Sequence, residues 1–258
     1  MNRVIVITGG AGGIGRCLVE HFATSGDKVY FIDNNEQELR ELVTRMNAGS
    51  LCVKGFYGDI ASERSLNDFV AFVLDEQPLG IHCLVNNACI TKKGVISGCS
   101  YEDFMYVMRV GVVAPYMLSL LFKEHFRGLG SIVNISSTRA FQSQPDTESY
   151  TAAKGGITAL THALAVSLSG VARVNSVAPG WIDTGAYHHG GDSYVPLYSK
   201  GDTTQHPSGR VGEPSDIARV VDFLCDERNS FVNGENITVD GGMSRLMIYH
   251  DDCGWKLV

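Results

Sequence analysis

The fold is decided by the stretch VIVITGGAGGIG, which runs from Val4 to Gly15. Its β-branched residues predict a short buried strand, and its glycines stand where an amphipathic helix begins. Glycines at such a turn allow the backbone to approach a diphosphate at the helix N-terminus. They fit both a GxGxxG and a TGxxxGxG spacing. We interpret the stretch as the start of a dinucleotide-binding unit, and a plain glycine-rich turn is the alternative.

Short β-rich segments alternate with longer helical segments along the rest of the chain. This alternation predicts a parallel sheet with helices on both faces. We expect one α/β domain over residues 1–258, with a doubly wound sheet of about seven strands and a nucleotide crevice at their carboxyl ends. The predicted strands are 4–7, 29–32, 51–56, 83–85, 131–135, 173–177 and 237–239, and the predicted helices are 13–25, 36–46, 63–75, 101–126 and 150–169.

Composition and charge limit the partners and the compartment. The net charge is −7 and no basic cluster occurs, so nucleic acid is not an expected partner. No segment is expected to span a membrane or to act as a signal peptide. The 7 cysteines are scattered, without metal-ligand spacing, which predicts reduced thiols and no metal site. We expect a cytoplasmic protein.

Two segments lie outside the regular alternation. Residues 182–208 are rich in Gly, His, Tyr, Ser and Pro, and their length predicts a substrate loop. The tail at 243–258 contains five side chains that are too apolar for a free terminus in water. We predict that the tail contributes to a subunit interface, and packing on its own domain is the alternative. The five are Leu246, Met247, Ile248, Tyr249 and Trp255.

An acidic residue, Asp33, stands at the end of the second predicted strand. A carboxylate there can accept hydrogen bonds from the ribose hydroxyls of the adenosine and would repel a 2′-phosphate. No Lys or Arg occurs in residues 34–38 to reverse that preference. The alternative is an aspartate that only caps the next turn. The pattern favours NAD over NADP as the cofactor.

Three residues form a candidate catalytic group. Tyr150 and Lys154 have a YxxxK spacing, which places both on one face of a predicted helix, and Ser137 follows the preceding strand. Reduction of a ketone by hydride needs a proton donor, and oxidation of an alcohol needs the matching base. A neighbouring ammonium stabilises a phenolate, so Tyr150 is predicted to be the acid/base. Ser137 is predicted to hydrogen-bond the substrate oxygen.

With these residues in place, the chain resembles a short-chain dehydrogenase/reductase of the shorter, single-domain branch. The resemblance covers residues 3–242, and it implies a Rossmann fold and an NAD(P)-dependent enzyme. Its motifs occur in the family's order, which makes the set far more specific than any one motif. They are TGGAGGIG at 8–15, Asp59-Ile60, Asn86-Asn87-Ala88, Ser137, Tyr150 with Lys154, Asn175, Pro179-Gly180 and Asp240-Gly241-Gly242.

The resemblance also implies how the cofactor lies. It implies that Asp59 and Ile60 border the adenine, that Asn87 lies along the cofactor, and that Ile182 and Thr184 meet the nicotinamide carboxamide. Family members are commonly tetramers built on their long helices, so a homotetramer is expected. The cofactor-binding residues are therefore predicted to be Gly9, Gly13, Ile14, Gly15, Asp33, Asp59, Ile60, Asn87, Ala88, Tyr150, Lys154, Pro179, Gly180, Ile182 and Thr184.

The sequence departs from the family pattern at two positions. Cys89 stands where the family usually has Gly. Gly111 stands where a helix Asn belongs to the family's catalytic tetrad and helps to hold a water on the catalytic Lys, largely through its backbone carbonyl. Glycine keeps that carbonyl, loses the side chain and loosens the helix. We expect a weakened proton relay, and we expect Asn at position 111 to leave rates unchanged or to raise them.

These observations predict an NAD(H)-dependent oxidoreductase that interconverts a secondary alcohol and a ketone. One alternative is a 3-oxoacyl-carrier-protein reductase, which Asp33 and the negative net charge disfavour. The other is a non-catalytic dinucleotide-binding regulator, which Gly111 favours. Hydroxysteroids, polyols, sugars and short hydroxy acids all stay open as substrates. Arg139, His188 and His189 are interpreted first as rim charge and loop polarity, and substrate contact is the alternative.

Overall fold

The computed structural model describes residues 3–247 and contains one parallel sheet of seven strands in the order β3-β2-β1-β4-β5-β6-β7. The α/β fold with a doubly wound sheet is thereby confirmed. Most of the apolar tail lies outside the described residues, and within them Met247 is 73% exposed. The strands are β1 (Val4–Thr8), β2 (Lys28–Asp33), β3 (Val53–Tyr57), β4 (Ile81–Asn86), β5 (Phe126–Ile135), β6 (Ala172–Pro179) and β7 (Asn236–Val239).

Helices cover both faces of the sheet, because consecutive residues of each strand point to opposite faces. Ile5 and Ile7 belong to one apolar cluster, which helices α1, α2 and α8 complete. Val4 and Val6 belong to a second cluster, which α3, α5 and α6 complete on the other face. The helices are α1 (Gly13–Thr24), α2 (Glu36–Ala48), α3 (Glu63–Glu76), α4 (Tyr101–Met108), α5 (Ala114–Phe122), α6 (Glu148–Ser167), α7 (Lys200–Thr204) and α8 (Pro214–Cys225).

The strand order reverses between β1 and β4, and this reversal positions the site. From β1 the chain proceeds to β2 and β3 on one side, and then crosses over to β4 and β5 on the other. Such a switch leaves a crevice beyond the carboxyl ends of the two central strands. Thr8, at the end of β1, connects this strand to the residues that follow β4. Its hydroxyl accepts the backbone N–H groups of Asn87 and Ala88 at 3.0 Å each.

Two helix predictions differ from the structure. The helix expected over 101–126 is interrupted by a π-helical segment, Arg109–Val113, and the last residue of that prediction begins β5. Helix α8 was missed altogether. Its signals are a capping box between Glu213 and Asp216, a proline in the first turn, and an apolar face that includes Ile217 and Leu224.

The stretch Tyr101–His125 is long and apolar enough, by length and a hydropathy of 1.6 alone, to cross a membrane. In the fold it lies in the helical layer beside the sheet, where α5 packs on α3 and the π-helical segment packs on α6. Val107, Leu118 and Phe122 are buried there. Packing inside the domain accounts for part of this hydropathy, since 39% of the most apolar window of the stretch is buried.

Candidate active site

A cleft of about 1210 Å³ opens at the carboxyl ends of the strands, at the switch point. It brings together the predicted catalytic residues and all but one of the predicted cofactor-binding residues. The exception is Gly15. The predicted site residues that line the cleft are Gly9, Gly13, Ile14, Asp33, Asp59, Ile60, Asn87, Ala88, Ser137, Tyr150, Lys154, Pro179, Gly180, Ile182 and Thr184.

The glycine-rich turn requires glycine for two different reasons. Gly9 and Gly13 have φ angles of +66° and +57°, in the left-handed region that side chains disfavour. Gly15 is required by packing, because a Cβ there would lie 1.8 Å from the carbonyl oxygen of Gly9. Gly15 therefore supports the turn from behind the cleft. The amide side chain of Asn87 also braces the turn, by donating to the carbonyl of Gly9 at 3.0 Å.

Asp33 lines the cleft at the end of β2. Its two carboxylate oxygens accept the backbone N–H groups of Ala11 and Asn35, each at 2.9 Å. A carboxylate has about four lone-pair positions, so acceptor capacity remains for two ribose hydroxyls. Burial raises the pKa of the Asp33 carboxyl, and the two backbone N–H groups oppose that shift.

The adenosine end of the cleft is acidic. Asp59 accepts the backbone N–H of Ala61 at 2.9 Å and the hydroxyl of Tyr106 at 3.1 Å. Burial raises the pKa of Tyr106, and the Asp59 carboxylate raises it further. Glu38 also lines this end, and among the described lining residues no Lys or Arg follows β2 or β3. This part of the cleft therefore carries negative charge without a cation beside it.

The catalytic group joins the end of β5 to helix α6. The ammonium of Lys154 donates to the carbonyl of Ile135 at 2.6 Å and lies 5.5 Å from the centroid of the Tyr150 ring. Lys154 is only 3% exposed, so its charge acts in a poorly screened environment. The hydroxyl of Ser136 donates to the backbone carbonyl of Lys154 at 3.1 Å, which fixes α6 against the strand.

Gly111 lies in the π-helical segment and faces α6. A Cβ at this position would lie 2.8 Å from the Cβ of Ala153, the residue before Lys154. Carbon atoms that close repel strongly, so glycine permits this segment to approach the catalytic helix. The sequence alone identified a lost side chain at position 111, and the structure adds that there is no space for one.

The substrate end of the cleft contains residues that the sequence reasoning missed. Trp181, Gln205 and Met243 line it. The ring of Trp181 lies 6.2 Å from that of Tyr198 and 6.1 Å from that of the buried His206, measured between centroids. The only sequence signal was an aromatic residue directly after Pro179-Gly180, which is too weak without the fold.

The predicted substrate loop contains short helical turns and the helix α7. Asp183 holds the loop together by accepting the hydroxyls of Tyr194, at 2.8 Å, and Tyr198. His188 lies beside the glycine-rich turn and lines the cleft. His189 is 2.9 Å from the carboxylate of Glu41, and this contact raises the pKa of His189 and lowers that of Glu41. His188 therefore faces the glycine-rich turn, and His189 faces helix α2.

Comparisons with known proteins agree with this geometry. A family model described as enoyl-(acyl carrier protein) reductase matches residues 9–244. An uncharacterized oxidoreductase from Thermotoga maritima is 42% identical over 97% of this chain and 99% of its own length. A 3-oxoacyl-[acyl-carrier-protein] reductase FabG from Aquifex aeolicus is 33% identical over 94% of this chain and 97% of its own length.

A solved structure of an apo SCOR enzyme from Clostridium thermocellum is 43% identical and has a TM-score of 0.88, with 100% of this chain and 99% of that chain covered. The fold and the cleft thus define an oxidoreductase that binds a nicotinamide dinucleotide and acts on CH–OH groups. The chain belongs to the short-chain dehydrogenase/reductase family.

Proposed function

We propose that the protein is an NAD(H)-dependent oxidoreductase that interconverts a secondary alcohol and a ketone, with Tyr150 as the acid/base. The observation that carries the proposal is one shared cleft. The catalytic group of Ser137, Tyr150 and Lys154 lies in the same cleft as the glycine-rich turn and Asp33. A regulator that only bound a dinucleotide would not need this complete catalytic group.

The residues present fit a nicotinamide dinucleotide. The turn at Gly9 and Gly13 forms a cradle without side chains at the N-terminus of α1, where a diphosphate binds favourably. Asp33 would hold the adenosine ribose, and Ile182 and Thr184 line the other end for the nicotinamide. When bound, the nicotinamide ring supplies or accepts a hydride.

In this proposal, residues of the protein transfer the proton and hydrogen-bond the substrate oxygen. Ser137 would donate a hydrogen bond to the carbonyl oxygen of the substrate, which favours the negative charge that develops there. Tyr150 would give its hydroxyl proton to the same oxygen during reduction and take it back during oxidation. The ammonium of Lys154, held in place by the carbonyl of Ile135, stabilises the phenolate that remains on Tyr150.

The proposal includes NAD as the cofactor. It is supported by the carboxylates of Asp33, Glu38 and Asp59 at the adenosine end, because a ribose diol can donate to a carboxylate and a 2′-phosphate cannot. The same acidic end argues against a carrier-protein reductase that uses NADPH. The net charge of −7 also disfavours docking of an acidic carrier protein.

The proposal extends to a cytoplasmic homotetramer. The association of subunits is supported by the exposed face of the long helical stretch, where Val113, Tyr116 and Leu120 are 45%, 46% and 41% exposed. Apolar side chains grouped on one face are typical of surfaces that associate. Light scattering at several protein concentrations tests the tetramer, and a monomer at all concentrations would contradict it.

The central test is turnover of a panel of ketones with NADH by the unmodified protein and by Tyr150→Phe. The substitution keeps the ring and removes the transferable proton. We expect a loss of kcat of about 100-fold or more, with NADH affinity retained. NADH binding is measured separately by fluorescence. Substantial turnover by Tyr150→Phe would contradict the assignment, and binding without any turnover by the unmodified protein would favour the regulator.

A further inference from the structure

One cation lies at the substrate end of the cleft, next to the catalytic hydroxyl. Arg139 lies on the short helical turn Thr138–Ala140, directly after Ser137, and lines the cleft. Its backbone N–H donates to the hydroxyl oxygen of Ser137 at 3.2 Å. This contact fixes the backbone of Arg139 relative to the position that a substrate carbonyl would occupy.

The guanidinium of Arg139 has no carboxylate partner in the described part of the chain, 3–247. Its side chain donates to the amide oxygen of Gln144, a neutral acceptor that also lines the cleft. Most arginines in the described part of the chain are instead paired with a carboxylate, as Arg210 is with Asp216 and Arg45 is with Glu20. A guanidinium carries five N–H donors, so most of those on Arg139 remain available to a molecule in the cleft.

The charges along the cleft are separated by sign. The carboxylates of Asp33, Glu38 and Asp59 lie at or after β2 and β3, whereas Arg139 follows β5. Strands β1 and β4 stand between β2 and β5, so the acidic and basic ends are about 14 Å apart at ordinary strand spacing. The other cation that lines the cleft, Lys154, donates to the Ile135 carbonyl and lies beside the ring of Tyr150, which is its proposed partner in catalysis. The positive charge of Arg139 therefore favours the binding of an anion on the side of the cleft beyond β5.

We propose that Arg139 binds a carboxylate of the substrate, so that the enzyme selects oxo acids and the corresponding hydroxy acids. The planar guanidinium matches a carboxylate through two parallel hydrogen bonds. This inference rests on the proposed function, because it names the substrate class of the same site. In reduction the carbonyl carbon gains the hydride and its oxygen gains the Tyr150 proton, and the carboxylate is left unchanged.

The test compares short straight-chain oxo acids with their methyl esters, which lack the negative charge and carry one additional methyl group, and with a phosphomonoester of a hydroxyketone. With NADH, we expect kcat/KM for an oxo acid to exceed that for its ester by about 10-fold or more. In Arg139→Gln, KM for the oxo acid should rise by about 10- to 100-fold, with little change in kcat or in KM for the ester. Arg139→Lys keeps the positive charge but lacks the planar guanidinium. It should retain part of the preference for the oxo acid over its ester.

Arg64→Gln is the matched control, since Arg64 is exposed on α3, outside the cleft, and the change removes the same charge. It should leave the acid-to-ester ratio unaltered. Equal loss for acid and ester in Arg139→Gln would show that Arg139 only shapes the cleft, and a preference for the phosphomonoester would also overturn the proposal. Calorimetry with the NADH complex separates the two proposals: selective binding of the oxo acid without turnover would support Arg139 recognition while refuting the oxidoreductase assignment.

Discussion

Replacing Asp33 by Asn isolates the charge that is proposed to select NAD. Asparagine has nearly the same shape but only one acceptor oxygen, whereas Asp33 accepts the backbone N–H groups of Ala11 and Asn35 on two different oxygens. We expect that oxygen to keep the N–H of Ala11, so that the glycine-rich turn retains its conformation while the N–H of Asn35 loses its acceptor. What disappears is one negative charge at the position where a 2′-phosphate would lie.

The size of the effect follows from the charges at this end of the cleft. Two unit charges about 4 Å apart interact by about 1 kcal/mol in bulk water and about 4 kcal/mol at an effective dielectric of 20. A phosphate monoester carries a charge of about −1.5 to −2 near neutrality. Repulsion from Asp33 alone is then about 2 kcal/mol even with water-like screening, which corresponds to about 30-fold in Kd. Glu38 and Asp59 add to this repulsion.

Titration of NAD⁺ and NADP⁺ by calorimetry measures the ratio of their Kd values. We expect the unmodified protein to bind NAD⁺ about 30-fold or more tightly than NADP⁺, and we expect Asp33→Asn to narrow that ratio by about 10-fold or more. Asp68→Asn is the matched control, because it removes the same charge by the same substitution from an exposed position on α3 outside the cleft. Equal affinities in the unmodified protein, or an unchanged ratio in Asp33→Asn, would refute the reasoning.

Two further predictions use contacts on either side of the cleft. Gly111→Asn should lower Tm and kcat, in contrast to the expectation from sequence alone, because its Cβ would press on Ala153 at an overpacking cost of about 1–3 kcal/mol. Adding Ala153→Gly should recover most of both quantities in a double-mutant cycle, and independent effects would contradict this account. The pKa of His189 is raised by Glu41, so their contact is strongest below that pKa and weakens as pH rises through it. Exchange protection of residues 185–193, corrected for intrinsic rates, should fall as the pH rises above the ordinary histidine value of about 6.5, and it should lose this pH dependence in His189→Ala.

Much of the fold was predictable because its signals are local. Strand β1, the glycine-rich turn and helix α1 are encoded by residues adjacent in the chain, and β-branched runs and glycines act on the backbone within a few positions. The interruption of the long helix was not predictable in this way. An apolar helical pattern continues through Arg109–Val113, and the π-helical geometry depends on how that segment packs against α6.

The candidate site likewise has features that the sequence predicts and features that only the tertiary structure shows. The sequence by itself determined the alternation of strands and helices up to β6, the glycine-rich turn, and the candidate catalytic residues, since each depends on residue identity and short spacing. Only the tertiary structure decided that Gly111 touches Ala153, that Arg139 has no described acidic neighbour, and that His189 pairs with Glu41. The partners in such contacts come from different elements, and their distances are set by the packing of helices on a twisted sheet. Those distances cannot be predicted from the spacing of residues along the chain.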